Sequence, residues 1–190
     1  MNYKDYFDWA SKLIVFAATA FGLYKAYIEF RNAQRWKKAE FLAKEAKDFF
    51  SDLNVTRALK FLDYREHDIV VLGSELPNKG TIHFNQDLLL KSWAVDKPID
   101  QFSPEELLIR NIFDEFLTKL SYFNYYLDTN LITLNDLRPY LGYWVNIIGN
   151  PQSGKRSNTV LRQIWKFIEY YEYNAVASLV KKFGYNPDFS

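Results

Sequence analysis

The segment from Trp9 to Phe30, WASKLIVFAATAFGLYKAYIEF, constrains this chain more than any other stretch. Its apolar centre, Leu13 to Tyr24, is twelve residues long. A helix that crosses a bilayer needs about twenty, so the flanks must supply the rest. Lys12 and Lys25 stand at the edges, where long stems stay in apolar surroundings while the ammonium groups reach water. Trp9, Tyr24 and Tyr27 fall where an aromatic belt forms at a membrane surface. Counted from Tyr6 to Phe30, both interfaces included, the segment is long enough to span. The sequence predicts a mainly α protein: an anchor helix over residues 1–30, then a helical domain over residues 31–190.

A secretory signal peptide is the competing reading. It asks for a basic start and a small-x-small cleavage site ahead of a polar chain. Here Lys4 is set against Asp5 and Asp8, and the pattern runs on into FRNAQRWKKAEFLAKEAKDFF without Gly or Pro. One helix from about Asp8 to Phe50 is expected, half in lipid and half outside, with a soluble amphipathic helix as the alternative. Lys25, Arg31, Arg35, Lys37 and Lys38 follow the apolar run, and only Lys4 and Lys12 precede it. The positive-inside rule then puts the domain on the cytoplasmic side. Ala18 and Gly22, with Ala17 and Ala20 nearby, form a small-xxx-small face on which helices approach closely in lipid. A homo-oligomer in the bilayer is the assembly this face suggests.

Composition narrows the chemistry. There is no cysteine, which removes disulfides, thiol nucleophiles and cysteine metal sites together. Two histidines, His67 and His83, are too few for a His-rich metal site, and no cofactor is expected. A net charge of +1 gives no global field to draw in nucleic acid. The 16 Phe, 14 Tyr and 5 Trp supply a real core and leave aromatic surface for an interface.

Beyond Phe50 the pattern predicts short helices, a hairpin, and three longer helices. Asn54 is a candidate cap for a helix through VTRALKFLDY, with Val55, Ala58, Leu59 and Leu62 on one face. Two β-prone runs, Ile69–Leu72 and Thr81–Phe84, flank the turn Pro77-Asn78-Lys79-Gly80 and predict a hairpin near 68–84. Asn85 caps a short helix through NQDLLLKSWAV. Ser103-Pro104-Glu105-Glu106 is the clearest start signal, a capping box with Pro at the first helical position. That helix runs to about Asp128, with Leu108, Ile112, Phe116, Leu120 and Phe123 at helical spacing. Pro139 lies near the start of the next helix or kinks it. A long loop over Gly149–Ser157 leads to a last helix, about Thr159 to Lys182, stopped by Gly184.

Several motifs touch on chemistry. Gly149, Gly154 and Lys155 have the spacing of a phosphate-binding P-loop, but Arg156 replaces the Ser or Thr that would hold Mg²⁺, and no parallel strand precedes. Asp128-x-Asn130 suggests an EF-hand that lacks its Gly and its bidentate Glu, since Thr133 and Pro139 stand there. His67 and His83 flank the hairpin and are placed to face each other across it. Arg110-Asn111 matches the start of a helical ribonuclease motif with no histidine after it, so its acid/base is missing. Trp165, Phe167, Ile168, Tyr170, Tyr171 and Tyr173 crowd the last helix more densely than one core face requires.

Taken together, LIRNIFDEF, DLRPYLGYW and LRQIWKFIEYYEYNAVASLVKKFGY, with WKKAEFLAKEAKDFF and ALKFLDY, resemble an uncharacterised family of small single-pass bacterial membrane proteins. The resemblance spans nearly the whole chain and implies an anchor plus a helical cytoplasmic domain, with no activity attached. A looser similarity, in architecture alone, is to the accessory membrane protein of type VI-B CRISPR systems, which implies an oligomeric pore. The leading expectation is thus a non-enzymatic membrane protein that self-associates or docks a partner, with a pore or effector of antiviral defence as one form. The alternatives are a tethered sensor and a degenerate ribonuclease. The sensor would bind an anionic ligand or RNA through Arg138, Lys155, Arg156 and Arg162; the ribonuclease would use Arg110 and Asn111.

Overall fold

The computed structural model describes residues 3–77 and 79–187, with side chains except those of residues 3–7 and 10. Asn78 of the expected turn, and the side chains of Lys4, Asp5 and Tyr6, lie outside the described residues. The chain divides into two units, Met1–Phe41 and Leu42–Ser190. The division falls after Phe41, because residues 31–37 are as exposed as the apolar run before them and the first buried residue is Leu42.

The first unit is helix alone. Helix α1 spans Tyr3–Ser51, matching the single uninterrupted helix expected from a stretch without Gly or Pro beyond Gly22. Its last turns, from Leu42 on, belong to the second unit, where Leu42, Ala46 and Phe49 are buried. Their spacing of four and three residues is the inward face of a helix.

The second unit is a helical bundle with one small antiparallel ribbon. Its elements are α2 (Leu53–Asp63), β1 (His67–Val70), β2 (Thr81–Phe84), α3 (Gln86–Ser92), α4 (Pro104–Asp128), α5 (Leu134–Gly149), α6 (Asn158–Tyr170) and α7 (Asn174–Lys182). Helix α4 is the hub, with α2, α3 and α7 packed against it. Ile109, Ile112, Phe113, Phe116, Leu117 and Leu120 are all at most 1% exposed, so apolar residues ring most of its circumference. Helix α5 packs on α2 and α7, and α6 on α3 and α7. Phe113 sits at the centre, its ring 4.6 Å from Trp93, 5.8 Å from Phe116 and 5.7 Å from Phe167.

Start signals in the sequence are realised as hydrogen bonds. Ser103 and Glu106 form the reciprocal capping box of α4, and Thr133 and Asp136 form one for α5. Asn85 caps α3. Two expectations need correction. The cap of α2 is Asp52, whose carboxylate accepts from the Val55 N–H at 2.9 Å; Asn54 instead donates to Glu115 and accepts from Arg57. The last helix is two helices, broken at Tyr171–Tyr173. There Glu172 takes the left-handed conformation, φ 56°, and its N–H reaches the Glu169 carbonyl while that of Tyr173 reaches Ile168. This is a Schellman stop with Glu where Gly is usual. Asn130 ends α4 and Gly184 ends α7 in the same way.

Candidate functional site

Two surfaces carry residues singled out by the sequence. The first is the apolar run of α1. Leu13, Ile14, Val15, Phe16, Phe21 and Leu23 are between 54% and 74% exposed, and the stretch is long and apolar enough to cross a membrane, with none of it buried. Eighteen residues from Leu13 to Phe30 extend roughly 27 Å at 1.5 Å each, close to a hydrocarbon core. Ala18 and Gly22 lie exposed on this run, and a Cβ placed on Gly22 would meet no atom within 4 Å. Beyond the run, Arg31 lies over the Tyr27 ring at 5.7 Å and Trp36 is 77% exposed.

The second surface is the loop from Gly149 to Ser157, and its residues have separate tasks. Gly149 ends α5 where a Cβ would come within 2.6 Å of Val180 and 2.9 Å of Tyr185, so the glycine is there for packing. Gly154 turns the chain at φ 68°. Neither is a phosphate cradle following a strand. Lys155 pairs with Asp63 at 3.1 Å and lies over the Tyr143 ring at 5.3 Å. The Tyr143 hydroxyl, together with Lys155, holds the Asp63 carboxyl below the usual range.

Arg156 turns inward and is 5% exposed. Its Nε donates to the Leu62 carbonyl at 3.0 Å, and its Nη2 donates to those of Phe61 and Tyr64. These carbonyls end α2, so Arg156 caps that helix from 92 to 95 residues away. Burial pushes its guanidinium down to about 10, with Asp63 opposing and Arg65 adding to the shift. Of the remaining candidates, Arg138 lies exposed over Phe183 at 5.4 Å and Arg162 is exposed on α6. Neither lines the pocket that Lys155 and Arg156 share.

Arg110 is also inward, 8% exposed. Its Nη1 donates to the carbonyls of Ser92 (2.8 Å) and Ala94 (2.9 Å), its Nη2 to the Tyr171 hydroxyl, and its guanidinium lies over Phe102, Phe167 and Tyr171. It closes the end of α3 rather than facing a substrate. Asn111, its neighbour, points to solvent. The histidines do not meet: His67 pairs with Phe84 and His83 with Asp68, on opposite faces of the ribbon because side chains alternate. His83 Nδ1 lies 2.7 Å from Asp68. Among the described residues no group of His, Asp and Glu is placed to hold a metal. Of the aromatic run near the C-terminus, Trp165, Phe167 and Ile168 are core, whereas Tyr170 and Tyr171 are exposed.

Sequence reasoning missed Arg65, which lies between α2 and β1 and lines the same pocket as Lys155 and Arg156. No local signal marks it; only the fold brings residues 65 and 155 together. The chain matches no family model, no curated protein and no solved structure.

Proposed function

We propose that this chain is a single-pass membrane protein whose helical domain sits in the cytoplasm and acts without catalysis, by self-association or by docking a partner. One observation carries the reading: an apolar helical run with every residue from Leu13 to Phe30 exposed. In water such a run would leave a large unpaired apolar surface, which soluble monomers avoid. The five cations from Lys25 to Lys38, against Lys12 and Lys4 on the other side, support the cytoplasmic placement. Ala18 and Gly22 support contact between copies within the bilayer. The non-catalytic reading is supported by the buried charges. Arg57 is paired with Glu75, Glu106 with Lys97, and Arg110 and Arg156 serve backbone carbonyls. An oligomeric pore or membrane effector in antiviral defence is one specific form of the proposal.

The cysteine-free sequence makes the test clean. Asp8→Cys and Ser74→Cys each place one thiol at an exposed position. In spheroplasts treated with a membrane-impermeant maleimide, Asp8→Cys is expected to label from outside and Ser74→Cys only after lysis. The opposite pattern reverses the orientation, and release of the protein by alkaline carbonate removes the anchor. For self-association, the detergent-solubilised protein is expected to have the mass of a discrete oligomer that Gly22→Leu disperses. A strict monomer rules out the pore.

A further inference from the structure

At the start of α6 a shallow pocket of about 330 Å³ is lined by Arg65, Gln86, Gly154, Lys155, Arg156 and Ser157. We propose that it binds a phosphate group borne by a small molecule. Three cations line it and no carboxylate does. Asp63 offsets one of them through Lys155, which leaves a local excess of about two positive charges. Arg65 is exposed and makes no hydrogen bond or ion pair among the described residues. Arg156 forms the inner wall of the pocket. Three of its five N–H donors serve the end of α2, and Nη1, with no acceptor among the described residues, keeps access to solvent. Two like charges, Arg65 and Arg156, lining one pocket that holds no carboxylate favour an anion there.

The helix adds donors of its own. Ser157 accepts from the Val160 N–H and donates to Gln86 Oε1, and among the described residues the N–H groups of Asn158 and Thr159 have no acceptor at the positive end of a 13-residue helix. A tetrahedral oxyanion with several lone pairs matches a pocket lined by a loop lysine and two arginines beside the positive end of a helix. The volume lies at the small end of ligand pockets, which fits a phosphate group with a modest substituent. The inference is independent of the membrane reading, because every residue belongs to the second unit.

The test uses the full chain in an uncharged maltoside detergent and inorganic phosphate as probe, reading the melting midpoint by tryptophan fluorescence against chloride at matched ionic strength. Phosphate is expected to raise the midpoint saturably and chloride not. Arg65→Gln is expected to weaken the response about tenfold or more while leaving the anion-free midpoint in place, since Arg65 supports nothing in the fold. Repeating the titration in nanodiscs locates the phosphate's source. Loss of the response when phosphatidic acid is present assigns the pocket to a lipid headgroup, and an undiminished response assigns it to a free molecule. The proposal is overturned if neither phosphate nor phosphatidic acid gives a saturable shift. It is also overturned if Arg65→Gln responds like the parent, or if an oligoribonucleotide binds where phosphate does not.

Discussion

At the residue scale, three arginines show how one residue type reads differently in sequence and in space. In the linear chain Arg156 stands out as a candidate for an anion and Arg110 as the remnant of a ribonuclease motif, while nothing marks Arg57. Each is buried, and each is held by carbonyls or a carboxylate that come from distant positions. Glu172 teaches the converse, since nothing in its type announces a left-handed turn. An L-residue with a Cβ pays about 1 kcal/mol or more there, and Gly avoids it. Glu172→Gly is therefore expected to stabilise the domain by about 0.5–1 kcal/mol after the gain in unfolded-chain freedom is subtracted. That is a rise of roughly 1–4 °C in the melting midpoint. Glu172→Val, β-branched at the same φ, is expected to lower it. A midpoint that falls with Gly would show that the Glu172 side chain does something beyond occupying the turn.

At the element scale, legibility follows the range of the signal. The start of α4 is written in four adjacent residues, Ser103 to Glu106, and the structure keeps it. The hairpin is written in two β-prone runs, and β2 falls where expected while β1 begins two residues early, at His67. The break between α6 and α7 was not legible, because apolar residues continue at helical spacing from Trp165 through Val180 and no Gly or Pro interrupts them. The N-cap of α2 was misplaced by two residues because Asp52 and Asn54 are both good caps; Glu115 and Arg57, far along the chain, claim Asn54. The pocket at α6 was half legible: Lys155 and Arg156 stood out, while Arg65 needed the fold. Elements are also stitched by acids whose charged forms the fold favours. The Tyr143 hydroxyl lowers Asp63, Arg57 lowers Glu75, and Lys119 with Asn54 lowers Glu115. Each binds protons less readily folded than unfolded, so each adds stability that is complete above its ordinary value, 3.8 for Asp and 4.5 for Glu, and fades as pH falls below it. The melting midpoint is expected to hold between pH 7 and about 5 and to drop below about 4.5. Glu75→Gln is expected to make that drop shallower; an unchanged profile would remove the Arg57–Glu75 pair from the account.

At the scale of the whole molecule, the core of the second unit owes nothing to the exposed run of α1. A chain beginning at Arg31 is expected to stay soluble without detergent and to melt within about 2 °C of the full-length protein, a difference worth about 0.5–1 kcal/mol for a domain this size. Aggregation, or a midpoint lower by more than about 5 °C, would make the run part of the fold. The hub position of α4 has a further meaning when time is considered. Helices α2 and α3 precede it in the chain, and both need it for a core. About a hundred residues separate the apolar run from the end of α4, an interval of roughly 5–20 s at the pace of a ribosome. On the reading proposed above, the chain is committed to the bilayer before its domain can exist. The newborn α2 and hairpin therefore wait, apolar faces bare, already tethered at a surface where other copies are being delivered.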